Sequence, residues 1–449
     1  MAEPLVVEVK LWGRRVGAVA PLQGRPGYFE FQYAEHFSRS GLQPAPLEMP
    51  LDARRRYSFP ALGRDSYFGL PGMLSDALPD RFGNMLIDEY MARQGIKPHE
   101  VTALQRLLYL GRRGMGALEF EPAMRSISSA EGASPLAMAL LVEDARRALR
   151  GNMQKLRQDI IDVGSSAGGA RAKAVLGWNR ATNEFVSGQF DPPPGFEHWL
   201  LKFDVGENKQ LGTTGGFGRI EYAHYLLASE AGIDMSECNL LEENGRAHFM
   251  TKRFDRVGND KIHAQSLCAM AHLDFNTPSV HGYEQLLRAI LKLGLGAEAI
   301  EQAWLRCAFN VAFVNCDDHT KNFGFLMDSG GRWRLAPAYD ICFSHNPGAG
   351  RWTRQHQMLV RGKAWDITAE DLIELGRAFG VNQPRVKLDK VLSARADWPR
   401  VARKAGVPAA RIKAVQSMHP RLVARTSRPL AKPTSPTRKG RKESKFLSP

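Results

Sequence analysis

Three polar residues interrupt an apolar stretch between Phe309 and Ser344, and they constrain this chain more than any other feature: Asp317, Asn322 and Asp340. Asn322 follows Asp317 by five residues, and Asp340 follows Asn322 by eighteen. Carboxylates and amides among buried side chains are costly unless they are paired or meet a ligand. A carboxylate that takes a proton, with an Asn and a second Asp as oxygen donors to Mg²⁺, is the set that phosphoryl transfer needs. Asp317-Asp318-His319 alone would also suit a helix-capping turn or a metal-binding triplet. Adding Asn322 and Asp340 turns the reading toward ATP-dependent phosphoryl transfer.

The flanking sequence supports a site here. Ala299, Ile300, Ala303, Trp304, Cys307, Ala308, Val311 and Ala312 recur at helical spacing, so a buried helix should deliver the loop. Phe323–Met327 and Trp333–Leu335 flank Asp328–Arg332 and read as a hairpin. Pro337 limits that second strand and returns Tyr339-Asp340 toward the loop. Asp-x4-Asn is also the catalytic-loop spacing of protein kinases, with Asp340 where their metal-binding Asp falls.

A second chemical stretch, Val163–Leu176, holds Ser165, Ser166, Gly168, Gly169, Ala170, Arg171, Ala172 and Lys173. Small residues let backbone N–H groups approach phosphate oxygens, and Arg171 and Lys173 add positive charge. Ala174–Trp178 and Glu184–Val186 read as a hairpin lid. His198–Phe203 follows as a strand with Lys202 inside an apolar run, where a buried ammonium needs an anionic partner such as an ATP phosphate. Glu221 starts the next helix and is placed to orient that lysine. Met250–Phe254 reads as a hinge strand beside the purine, with Phe254 as an apolar wall. Glycine-rich loop, strand lysine, helix glutamate, hinge, Asp and metal Asp thus occur in kinase order.

The 449 residues suffice for two or three domains. A hydrophobic content of 43% is ordinary for a soluble protein, and no apolar run approaches the length of a membrane span. The N-terminus lacks the layout of a signal peptide. Five cysteines without a CxxC pair fit a reduced cytoplasm, which is the expected location. Of the net charge of +14, +6 lies in residues 426–449, a stretch with little to bury that is expected to be disordered. The first strands pair around a turn at Gly13-Arg14-Arg15, Pro79 opens a helix, and residues 1–122 contain no side chain that reads as catalytic. Thr368 and Asp371 suggest a capping box before further helices to about residue 425.

Together these residues resemble the HipA family of serine/threonine kinase toxins. The features are Asn315-x-Asp317-x-His319-x-Lys321-Asn322, Ala336-Pro337-x-Tyr339-Asp340, Arg253-Phe254-Asp255-Arg256 and the loop over 165–173. The resemblance implies an α+β, bilobed protein-kinase-like fold. Its parts would be a small N-terminal α+β domain (1–122), a kinase N-lobe (123–255), a large helical C-lobe (256–425) and a basic tail (426–449). It implies ATP and Mg²⁺ as cofactors, Asp317 as general base, and Asn322 and Asp340 as metal ligands. Gly168–Lys173, Lys202, Lys252, Arg253, Phe254, His319, Lys321 and Tyr339 would join Asn322 and Asp340 at the nucleotide. Ser166, or Ser165 beside it, would be the autophosphorylated serine. Asp318 departs from relatives with a smaller residue there, and its charge would raise the pKa of Asp317.

The family's partners imply a dimeric helix-turn-helix antitoxin of HipB type, operator DNA through that complex, and a protein substrate in translation, glutamyl-tRNA synthetase by analogy. Two other readings of the same residues stand. One is a small-molecule or lipid kinase of related fold; the other is a non-catalytic, DNA-associated corepressor.

Overall fold

The computed structural model describes residues 5–124, 134–164, 171–205, 207–208, 212–213, 216–348 and 352–422. Strands β1 (Val7–Leu11) and β2 (Arg14–Pro21) form the first hairpin. Leu11 pairs with Arg14, so the turn is Trp12-Gly13, one residue earlier than the sequence places it. Both turn residues have positive φ, 50° and 72°, the signature of a type I′ turn. A tryptophan is held in that conformation because its indole N–H reaches 2.7 Å to the Lys261 carbonyl.

β3 (Phe29–Tyr33), β4 (Arg56–Tyr57) and β5 (Leu118–Glu121) complete an antiparallel sheet of order β4-β3-β2-β1-β5. Alternation puts Val7, Val9 and Leu11 on its buried face, against Leu104 and Leu107. The latter pair lies on the helix Ala103–Leu110, started by a reciprocal capping box between Thr102 and Gln105. A second helix, Arg81–Arg93, sends Phe82 and Leu86 into the core of the following lobe, beside Ile160 and Trp199.

That lobe is a five-stranded antiparallel sheet. Its strands are β6 (Lys173–Asn179), β7 (Glu184–Ser187), β8 (Glu197–Lys202), β9 (Cys238–Glu243) and β10 (Arg246–Lys252), in the order β9-β10-β8-β6-β7. Lys202 ends β8 directly opposite Lys173 on β6 and Phe249 on β10. The helix Phe217–Glu230 packs closely on β10 through Gly218, where a Cβ would lie 2.0 Å from the Ala247 carbonyl oxygen.

The third part is helical. Gly296–Ala312 runs through its centre and is buried on every side from Ala303 onward, as its small and apolar composition predicts. Helices Tyr283–Lys292, Ala369–Ala378, Pro384–Ala396, Trp398–Lys404 and Ala409–Met418 surround it around Trp304, Phe309, Phe313 and Trp398. The expected cap is present: Thr368 and Asp371 bond reciprocally. A small sheet, β11 (His263–Ser266), β12 (Gly324–Met327) and β13 (Trp333–Leu335), faces the cleft between the lobes. The fold is α+β, bilobed and kinase-like. Among the described residues no helix is long and apolar enough to cross a membrane, and all five cysteines are free and buried.

Candidate active site

A cavity of about 600 Å³ separates the lobes. Lys202 enters it from the end of β8, with its ammonium in contact with both the Glu221 and Asp340 carboxylates. Burial pulls the Lys202 pKa down, but Asp340 and then Glu221 outweigh it, so the pKa is raised and the ammonium stays charged. Arg171 bonds Glu221 at 2.7 Å, and Lys173 lies 3.8 Å from Asp340. Basic and acidic groups therefore alternate across the cleft. At Asp340, burial pushes the carboxyl up, yet Lys202 and Lys173 hold it below the usual carboxylate range. Its φ of 53° lies in the left-handed region, uncommon away from glycine and frequent at functional sites.

The opposite side is built by the loop after Gly296–Ala312. Asn315 ties the loop down, donating to Asn310 Oδ1 (3.0 Å) and to the Asp340 carbonyl (3.2 Å). Asn322 Nδ2 donates to the Asp317 carbonyl at 2.7 Å, which commits its nitrogen and leaves Oδ1 as the donor atom for a cation. Tyr339 closes the loop by donating to the Lys321 carbonyl at 2.8 Å. The side chain of Asp317 is 47% exposed, yet it sits on the floor of a cleft whose walls displace bulk solvent. That burial raises its pKa; His319 opposes, while Asp340 and Asp318 add to the rise.

Asp318 turns the other way. It is fully buried and accepts from Tyr283 Oη (2.8 Å) and from the Gln357 N–H (2.8 Å), with His356 Nδ1 at 3.0 Å. These bonds tie the loop around Asp317 to the segment near residue 357. The charge of Asp318 is only a minor contributor to the raised pKa of Asp317, behind burial and Asp340. Among the described residues no three His, Cys, Asp or Glu side chains converge on a metal position, so the adjacent Asp317-Asp318-His319 is not such a triplet.

Arg171, Lys173, Lys202, Lys252, Arg253, Phe254, Asp317, His319, Lys321, Asn322, Tyr339 and Asp340 all line one cleft. Ala172 is instead packed in the N-lobe core, its carbonyl accepting from the Phe203 N–H. The side chains of two residues expected at the hinge are engaged elsewhere, Lys252 with Glu197 and Arg253 with Asp255 in two bonds of 2.9 and 2.7 Å. Phe254 sits 5.4 Å from the Tyr339 ring, forming an apolar wall. Ser165, Ser166, Gly168, Gly169 and Ala170 lie outside the described residues.

The N-terminal domain supplies a wall that sequence reasoning misses. Asp76, Asp80, Phe68 and Met73 line the cleft, and Asp80 pairs with Lys321 at 2.6 Å. Asp76 accepts from Ser266 N (2.6 Å) and Oγ (2.7 Å). Asp80 precedes a helix, where an Asp reads as a routine cap. It makes no side-chain capping bond.

Residues 165–421 match the HipA-like C-terminal domain, and residues 7–121 match the HipA N-terminal domain. The fold is similar to HipA in the Shewanella oneidensis MR-1 complex of HipA, HipB and operator DNA. That match has a TM-score of 0.64 at 15% identity and covers 92% of this chain and 95% of that one. The Helicobacter pylori proinflammatory kinase CtkA aligns at a TM-score of 0.33 and 15% identity, over 50% of this chain and 88% of its own.

Proposed function

The chain belongs to the HipA family, and from that premise we propose that it is an ATP- and Mg²⁺-dependent serine/threonine protein kinase acting as the toxin of a toxin–antitoxin pair. One observation carries the reading: Lys202, bracketed by Glu221 and Asp340, faces Asp317 and Asn322 across a single cleft. A lysine–glutamate pair beside a metal-binding Asp is the arrangement that active kinases assemble.

The donor set fits the proposed ligands. Asp340 is held ionised and Asn322 keeps its amide oxygen, so these two would hold Mg²⁺, which takes one or two protein oxygens and fills the rest with phosphate and water. Bound Mg²⁺ supplies neutralisation of the charge on the phosphate oxygens. Lys202, Lys173 and Arg171 would set the triphosphate in place, each giving up part of its present carboxylate pairing. Asp317 would orient the acceptor hydroxyl and take its proton. The hydroxyl oxygen bonds to the γ-phosphorus as the bond to the β-phosphate oxygen breaks, and ADP leaves. Phe254 and Tyr339 would wall the adenine.

The same reading extends to an acceptor in the translation machinery, autophosphorylation at Ser166 or Ser165, and a HipB-like antitoxin that couples the chain to operator DNA. HipB and DNA accompany the Shewanella protein in its complex. Incubation with γ-labelled ATP and Mg²⁺ tests the central claim. Label should pass to the chain or to a translation-factor extract, and Asp317→Asn and Asp340→Asn should each abolish it without unfolding. Transfer retained in either variant would remove the assignment.

A further inference from the structure

Lys321 follows Asp317 by four residues, yet the carboxylate that pairs with its ammonium comes from outside its own lobe. It pairs at 2.6 Å with Asp80, which lies 241 residues earlier in the N-terminal domain. The two side chains are only 12% and 18% exposed, so little water competes for either charge. The ammonium also lies 4.6 Å from the centre of the Phe275 ring of its own lobe, a second contact beside Asp80. Asp80 stands at the start of the helix Arg81–Arg93 without capping it. The helix is itself clamped, through Phe82 and Leu86, into the N-lobe core. Neighbouring bonds fix the same domain to the C-lobe: Tyr67 Oη donates to the Cys268 carbonyl at 3.1 Å, and the Gly72 N–H meets His272 Nε2 at 3.2 Å.

We propose that Asp80 is a positioning residue that aims the Lys321 ammonium at the phosphoryl group being transferred, so that the N-terminal domain completes the active site. This rests on the kinase reading above. A lysine on a four-carbon stem is a mobile point charge, and catalysis depends on where it is held. The backbone of Lys321 is fixed by Tyr339, but its side chain takes its direction from Asp80. The separate domain is thereby built into the chemistry as well as into the scaffold.

The test uses the full chain and compares wild type, Asp80→Asn, Asp80→Glu, Lys321→Met and the double variant Asp80→Asn/Lys321→Met. It measures kcat and KM for Mg-ATP, with thermal unfolding in parallel. Asp80→Asn should lower kcat by about tenfold or more, with KM changed less than about twofold, since the charge is misaimed rather than the nucleotide released. Asp80→Glu should recover part of the loss. The double variant should be no slower than Lys321→Met alone, because two residues acting as a unit are not additive. A merely structural Asp80 would instead give additive losses that track the unfolding temperature, and that result overturns the proposal. Wild-type kcat in Asp80→Asn overturns it too. If Asp80→Asn does not fold, Asp80→Glu and its double variant with Lys321→Met decide by the same additivity. A wild-type chain that transfers no phosphate fails the kinase reading itself, and this proposal with it.

Discussion

Lys202 and Asp340 lie 138 residues apart and meet in one ion pair across the cleft, with Glu221 on the other side of the same ammonium. The pairing joins the last residue of β8 to a residue held at positive φ beyond β13. Lys202→Met removes the cation shared by two carboxylates. Phosphoryl transfer should fall by about 10²-fold or more, the scale for losing one preorganised electrostatic contact. Nucleotide affinity should also weaken. A variant with unchanged turnover would mean that Lys202 serves the fold alone.

The acid limb of activity should belong to Asp317. As the proposed general base Asp317 works deprotonated, so turnover should rise with pH through its pKa. Burial has moved that pKa above the ordinary aspartate value of about 3.9. His319, with Nε2 3.9 Å from Asp317 Oδ1, opposes the rise. His319→Gln should therefore displace the acid limb to higher pH. Rate profiles of both proteins check this, and a displacement to lower pH would contradict it.

Much of this site is legible from residues alone, because its chemistry is concentrated in short motifs. Asp317, Asn322 and Asp340 stand out as polar interruptions of apolar segments. The helix before them and the hairpin after them follow from periodicity. Glu221 is legible only through order along the chain, since an exposed helical glutamate looks the same in sequence. Asp80 is not legible at all: its partner is 241 residues away, and local rules assign an Asp before a helix to capping. Asp318 is legible only in part: its charge adds to the rise at Asp317 as expected, but its packing is not foreseen. Adjacent carboxylates read as one charged cluster, whereas the backbone turns one toward the cleft and the other into the core. The turn at Trp12-Gly13 is hidden by its contact with distant Lys261.

Asp255 and its neighbours form a buried charge cluster whose loss should be felt in stability. Asp255 is fully buried, bonded by Arg253, Arg256 (2.9 Å) and the Gly116 N–H (2.7 Å). Asp255→Asn removes the carboxylate that pairs with two buried guanidiniums and should cost about 3–5 kcal/mol. At Asp255 burial acts to raise the pKa, but the two arginines prevail and the carboxyl is held well below its usual range. A depressed folded pKa gives stability that is complete above the unfolded value of about 3.9 and disappears as pH falls through the folded one. Denaturant midpoints of wild type and variant should therefore converge only in strong acid.

Tyr283→Phe probes the anchor under the loop that carries Asp317. The hydroxyl donates to Asp318 and accepts from Asn310 Nδ2 at 3.0 Å, so its removal leaves two buried groups short of a partner. A loss of about 1–3 kcal/mol is expected. Turnover should fall more than ATP affinity, because Asp318 supports the loop carrying Asp317 rather than Lys202 and Lys173. Equal losses in both would show that the anchor acts on the whole lobe.

Gly218→Ala tests whether the distance between a helix and a strand sets the lysine–glutamate pair. Gly218 is the second residue of the helix that carries Glu221. A Cβ there would meet the Ala247 carbonyl oxygen at 2.0 Å and the Phe249 nitrogen at 3.2 Å, both backbone atoms of β10 that cannot rotate aside. The helix must move outward, and overpacking of this kind costs about 1–3 kcal/mol. Glu221 lies one turn further along, so the same movement should lengthen its contact with Lys202 and its 2.7 Å bond to Arg171. Lys202 would then remain on Asp340 alone, and its alignment with the triphosphate would be lost. The variant should fold with reduced stability and lose turnover by about tenfold, while Asp317 keeps its acid limb. Turnover that falls only in proportion to the unfolded fraction would show that the helix position does not govern the pair.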